Sequence, residues 1–216
     1  MRRVSILEGN GRHRLLFLGA HCDDIEIGCG GTLLRLAAER SDLEVRWMIF
    51  CSTPERASEA RASGEAFLQG VAKVDVTVRD YRDGYLPHSG AAVKDEFEAL
   101  KRQYQPDLIF THYRHDLHQD HRFVSELTWN TWRNHLILEY EIPKYDGDLG
   151  VPNFFSTLST GALERKIALL LQHFPSQRGK SWFTADLFRG LARIRGMECA
   201  APEGFAEAFH CRKAVF

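Results

Sequence analysis

Short apolar runs alternate with amphipathic stretches through the first half of the chain. Arg14–Ala20 (RLLFLGA) is an almost unbroken apolar run, the mark of a strand buried on both faces. Gly28–Arg40 opens on glycines and continues TLLRLAAER, which predicts a helix. Leu43–Phe50 (LEVRWMIF) reads as a second strand, Glu55–Gly70 as an Ala- and Glu-rich helix, and Val74–Val78 as a third strand. Val93–Tyr104 reads as a helix that Pro106 ends, followed by a fourth strand at Asp107–Thr111 (DLIFT).

Strand and helix alternating at this spacing imply parallel strands with right-handed crossovers. The predicted fold is α/β, a Rossmann-like parallel sheet sandwiched by helices, in a single domain spanning 1–216. Beyond His121 the pattern predicts a helix to about His135. Glu139–Pro143 and Asn153–Leu158 read as short strands or extended loops, and Gly161–His173 and Trp182–Gly196 as helices. Glu203–Phe216 shows no clear pattern.

Composition narrows the class. A chain of 216 residues with 44% hydrophobic and 26% charged residues suits one globular domain. The formal net charge is −1 and no basic run stands out, which argues against nucleic acid as a partner. The apolar stretch after Arg2 and Arg3 is short and runs into a charged motif rather than a cleavage site. No run reaches the roughly 20 apolar residues of a membrane span. Five cysteines without regular spacing fit reduced thiols, and the expected location is cytoplasmic.

In such sheets the ligand crevice lies beyond the carboxyl ends of the strands. Two charged motifs fall there: His21-Cys22-Asp23-Asp24 after the first strand, and His112–His121 after the fourth. The second packs four histidines and two aspartates into ten residues, and His118 and His121 share a face if a helix starts at His118. A catalytic zinc site needs three protein ligands and an open position. His21, Asp24 and His121 are the expected ligands, and Asp23 the general base. His118 is expected to donate to an oxyanion or protonate a leaving amine. Asp116 and Asp120 suit the task of orienting the imidazoles through their free N–H groups. The bland alternative for Asp23-Asp24 is a helix N-cap pair. The glycines Gly28, Gly30 and Gly31 do not match a dinucleotide fingerprint and read as close packing at a helix start.

These motifs resemble the signatures of the LmbE-like (PIG-L type) family. That family includes N-acetylglucosaminyl-phosphatidylinositol deacetylases and the deacetylases of mycothiol and bacillithiol synthesis. The family pattern A-H-P-D-D, E-x-G-C-G-G-T, H-x-D-H appears as Ala20-His21-Cys22-Asp23-Asp24, Glu26-Ile27-Gly28-Cys29-Gly30-Gly31-Thr32 and His118-Gln119-Asp120-His121. Cys22 departs from it, standing where the family usually has proline.

The resemblance implies a Rossmann-like fold, zinc at His21, Asp24 and His121, Asp23 as base and His118 assisting. It implies removal of an acetyl or other acyl group from the nitrogen of an amino sugar or its conjugate. It also directs attention to Arg61 on the second helix and to Asp83 in a D-G-x-L-like loop as substrate contacts. The alternatives are an exposed helix salt bridge for Arg61 and a plain turn aspartate for Asp83. Lys166, His173, Ser176 and Gln177 resemble the family's late helix, and Ala206-Glu207-Ala208-Phe209 its close. A homo-oligomer agrees with the resemblance.

Two rival classes stand beside this reading. Two histidines and a carboxylate are also the facial triad of non-haem iron oxygenases, although that triad usually sits on a β-barrel. Fe2+ could also serve a hydrolase. A non-enzymatic metal- or sugar-binding module is the other rival, and the acid–base residues beside the ligands argue against it.

Overall fold

The computed structural model describes residues 4–7, 9 and 11–215. Among them one sheet holds seven strands: β1 (His13–Gly19), β2 (Leu43–Cys51), β3 (Lys73–Tyr81), β4 (Leu108–His112), β5 (Leu136–Tyr140), β6 (Phe154–Leu158) and β7 (Phe205–Cys211). Their order is β3-β2-β1-β4-β5-β7-β6. The first five are parallel, and β7 pairs antiparallel with both β5 and β6. Six α-helices flank the sheet: α1 (Asp24–Glu39), α2 (Pro54–Phe67), α3 (Gly90–Gln103), α4 (Gln119–Thr131), α5 (Thr160–His173) and α6 (Ala185–Glu198).

Side-chain alternation along the strands divides the core. Leu15, Phe17, Val45, Trp47 and Phe110 face the layer of α1, α2, α5 and α6. Leu16, Leu18, Met48, Phe50 and Ile109 face α3 and α4. Both faces are covered, so the central strands read as continuous apolar runs rather than as alternation. No helix among the described residues is long and apolar enough to cross a membrane.

The chain order reverses direction across the sheet between β1 and β4, which pair side by side. That is the switch point of a doubly wound sheet, and the crevice lies past the strand ends there. Gly19 ends β1 and His112 ends β4, so both charged motifs emerge into it.

Several element boundaries differ from the sequence expectation, among them those of α1, α4 and β5. α1 starts at Asp24, not Gly28, because Asp24 and Glu26 in its first turn suit the positive helix N-terminus. The glycines therefore lie inside the helix, where they let it approach the sheet. A Cβ on Gly28 would come within 2.2 Å of the Tyr140 ring, and one on Gly31 within 2.6 Å of Leu158. α4 ends at Thr131, and β5 begins at Leu136, earlier than the expected strand at Glu139. The stretch that lacks a sequence pattern supplies β7, whose Ala206, Glu207 and Ala208 disfavour strands by propensity yet are buried there.

Glu207 explains that burial. Its Oε1 accepts from the Gly31 amide (2.8 Å) and Lys166 Nζ (2.6 Å). Its Oε2 accepts from the Thr32 amide and hydroxyl, both at 2.6 Å. Lys166 also donates to the Ile27 carbonyl at 2.6 Å. The last strand thus grips the glycine-rich middle of α1 through one saturated carboxylate.

Candidate metal centre

His21 stands in the β1–α1 turn, and its amide donates to Asp24 Oδ2 at 2.6 Å. That bond fixes the turn and aims the Asp24 carboxylate back at the strand end. His121 lies in the first turn of α4 and reaches the same point from the β4 side. His21 Nδ1 is 3.1 Å from His121 Nε2 and 3.4 Å from Asp24 Oδ2, and His121 Nε2 is 3.5 Å from Asp24 Oδ1.

The outer nitrogen of each ring faces carboxylates. His121 Nδ1 is 2.9 Å from Asp116 Oδ2. His21 Nε2 is 3.0 Å from Asp83 Oδ1 and 3.3 Å from Asp120 Oδ2. A carboxylate accepts, so each outer nitrogen donates to it; in the neutral ring, the form that binds a metal, the inner nitrogen then presents a lone pair. Two imidazole lone pairs and a carboxylate therefore converge on one point. A tetrahedral zinc ion at its usual bond lengths holds its donors about 3.3 Å apart. The two imidazoles stand at that spacing, and the Asp24 carboxylate reaches each of them through a different oxygen.

The electrostatics favour a cation in this position. Burial alone would raise Asp24, but His121, His112 and His21 hold it well below the usual carboxylate range. Burial opposes charge on His21, yet the carboxylates of Asp24, Asp120 and Asp83 outweigh it and its pKa is raised. Burial and the neighbouring His112 push His121 down to about 4.

Asp23 is the N-cap residue of α1, but its side chain makes no cap bond. Its Oδ1 accepts from Arg56 Nη2 at 2.7 Å, while Oδ2 is buried with no hydrogen-bond partner. Burial raises its pKa against the pull of Arg56, with Asp24 adding to the rise. Its free oxygen can therefore take up a proton. Arg56 is held in turn by Glu59 (3.6 Å), which accepts from the amide and hydroxyl of Ser176 at 2.9 and 2.6 Å.

His118 caps α4. Its Nδ1 accepts from the Asp120 amide at 3.2 Å, which places its proton on Nε2. Burial and the charge of His21 keep its pKa low. Its ring stands edge-on to His21, with centroids 4.8 Å apart. Asp120 ties the loop after β3 to the centre, accepting from the Gly84 and Leu86 amides at 2.7 and 3.1 Å. Asp83 in that loop has a 76% exposed side chain and a pKa lowered to about 2 by its hydrogen bond from His21.

One expected feature lies elsewhere. Arg61 is exposed and makes no ion pair or hydrogen bond among the described residues, because it sits on the outer face of α2. Arg56, one turn into the same helix, is the arginine that reaches the centre. Cys22 is buried, its thiol lying 3.5 Å from the Cys51 carbonyl, and burial pushes its pKa up to about 12, so it offers no thiolate. His112 carries no assigned role in the sequence reading. It is fully buried, stacks on His121 with centroids 4.0 Å apart, and accepts from the Ala20 amide at 2.9 Å. His112 and Arg56 both follow from the strand-end rule once it is applied to every parallel strand.

The fold is a doubly wound α/β sheet with a cluster of histidines and aspartates, of the residue types that can hold a metal ion, at its switch point. A model of the PIG-L family, the GlcNAc-PI de-N-acetylases, matches residues 16–132, and the chain belongs to that family. Its fold is similar to that of the N,N'-diacetylchitobiose deacetylase from Pyrococcus horikoshii, with a TM-score of 0.70, 22% identity, and coverage of 92% of this chain and 83% of that one. It is similar to a conserved protein from Thermus thermophilus, with a TM-score of 0.75, 21% identity, and coverage of 94% and 96%. It is also similar to the 4-carboxy-2-hydroxymuconate hydratase GalB from Pseudomonas putida, with a TM-score of 0.72, 15% identity, and coverage of 94% and 98%. At these identities the likeness speaks for the fold.

Proposed function

We propose that the protein is a zinc-dependent hydrolase that removes an N-acetyl or other N-acyl group from an amino sugar or its conjugate. The observation that carries the reading is the convergence of His21 Nδ1, Asp24 and His121 Nε2 within 3.1–3.5 Å, beside a buried carboxylate with a free oxygen. Membership of the PIG-L family supplies the substrate class.

His21, Asp24 and His121 would hold the ion, with Fe2+ as the other occupant that this donor set accepts. A bound divalent ion supplies Lewis acidity and a water whose pKa falls toward about 7. Asp23 takes the proton of the attacking water on Oδ2, while Arg56 keeps its other oxygen occupied. His118 presents Nε2–H to the developing oxyanion. Proton delivery to the leaving amine falls to Asp23 or His118, both of which border the cluster. Asp116 and Asp120 fix the two imidazoles. Asp83 is the exposed carboxylate suited to sugar hydroxyls.

The test is metal content together with acetate release from a panel of N-acetylglucosamine conjugates, as isolated, after chelation and after zinc return. About one zinc per chain, with activity lost and restored, supports the reading. Metal without release from any N-acyl substrate would discard the substrate class, which is a live outcome because one fold hosts many reactions. No metal uptake would overturn the whole assignment.

A further inference from the structure

Residues 141–153 connect β5 to β6 without regular structure, past the carboxyl end of a parallel strand. Within this connection Lys144 is almost buried, with a 10% exposed side chain. Its ammonium lies 2.9 Å from Asp116 Oδ2, contacts Asp148, and is 3.5 Å from the Ile142 carbonyl. Asp148 Oδ2 also accepts from the Leu117 amide at 2.6 Å. Lys144 and Asp148 therefore clamp one loop onto the segment that leads into α4.

The clamp meets the metal centre at a single atom. Asp116 Oδ2 is the oxygen that accepts from His121 Nδ1 at 2.9 Å, and Asp116 Oδ1 accepts from the His118 amide at 2.8 Å. One carboxylate thus serves the imidazole, the backbone of the next histidine and the ammonium. Without the ammonium, two buried carboxylates, Asp116 and Asp148, would face each other uncompensated, and repulsion between like charges favours their separation. Separation moves the loop outward and frees Asp116 to turn from His121.

We propose that Lys144 is a positioning residue that couples the β5–β6 connection to the metal centre, so that metal affinity and order of residues 143–149 rise together. The inference rests on the metal reading of the preceding subsection. Coupling of this kind is reciprocal: a loop that strengthens ion binding is itself steadied by the ion.

The experiment measures zinc affinity by competition with a chromophoric chelator, and amide exchange with and without zinc, on the full chain. Lys144→Met should weaken zinc binding about 10- to 100-fold, the usual effect of losing a group that orients a ligand. It should also abolish the zinc-dependent slowing of exchange over residues 143–149. Lys144→Arg should restore most of both, and Asp146→Asn, on the exposed side of the same loop, should change neither. Thermal melting reports whether each variant is folded. The wild-type exchange arm needs no variant: zinc must slow residues 143–149 more than helix α3, which packs on α4 and not on this connection. Equal affinity in a folded Lys144→Met protein, or a wild-type loop indifferent to zinc, would overturn the coupling while leaving the metal site standing. A wild-type protein that takes up no zinc would overturn both.

Discussion

Two buried carboxylates flank α1, and they are treated oppositely. Glu207 uses both oxygens, accepting from two amides, a hydroxyl and the Lys166 ammonium. Asp23 has one oxygen on Arg56 and the other on nothing. A saturated carboxylate resists further change and holds the fold. A half-satisfied one stores desolvation cost and stands ready to take a proton. Under the proposed reading the contrast assigns Glu207 to the scaffold and Asp23, beside the histidine cluster, to chemistry.

The largest effect should come from removing the open carboxylate. Asp23→Asn keeps the volume and should lower turnover about 10²- to 10⁴-fold while zinc content, measured by atomic absorption, stays constant. Near-normal turnover would break the comparison at its reactive end. Glu207→Ala is the mirror experiment. It should cost about 3–5 kcal/mol in urea unfolding, because Lys166 is left buried and unpaired, with activity per folded molecule retained. A loss confined to turnover would mean that saturation does not mark scaffold.

Smaller changes sharpen the contrast. Gly28→Ala forces a Cβ into the Tyr140 ring at 2.2 Å, and Tyr140 donates to the Leu18 carbonyl at 2.6 Å beside His112. Overpacking of this kind costs about 1–3 kcal/mol, visible as a lower melting temperature.

His210 tests whether an open polar atom alone implies chemistry. Its Nε2 is buried without a partner, and burial, with Arg195 and His115 adding, lowers its pKa to about 4. The folded state thus binds fewer protons than the unfolded chain between pH 4 and about 6.5. Its contribution is complete above that window and is lost as pH falls through it. Discounted for partial exposure, that loss is about 1–2 kcal/mol. Melting temperatures of the chelated protein should fall across the window, and His210→Asn should flatten the slope. An unchanged slope would remove His210 from the comparison.

The parallel half of the sheet is legible because its strands are buried on both faces and read as apolar runs. The antiparallel edge is legible only in part: Asn153–Leu158 reads as a strand or extended loop and forms β6, but β7 shows no pattern. β7 is made of alanines, a glutamate and aromatics, and only the pull of Gly31, Thr32 and Lys166 on Glu207 explains why it runs through the sheet. The site divides in the same way. His21, Asp24, His118 and His121 lie within a few residues of strand ends that the periodicity locates. Arg56 and Lys144 follow β2 and β5, whose ends carry no histidine cluster to draw notice, and Arg61 draws the attention that belongs to Arg56. No local pattern reveals that Asp116 shares one oxygen between His121 and Lys144. That is a fact of three dimensions.

The place of β7 also orders events during synthesis. Every proposed metal donor has been translated by residue 121, yet among the described residues β6 pairs in the sheet with β7 alone. A nascent chain that stops before Phe205 carries the whole donor set, an unpaired strand edge and an α1 without its anchor. Pairings so distant in sequence form late and leave such intermediates prone to aggregation. The ribosome therefore releases the proposed donors well before the strand that anchors α1.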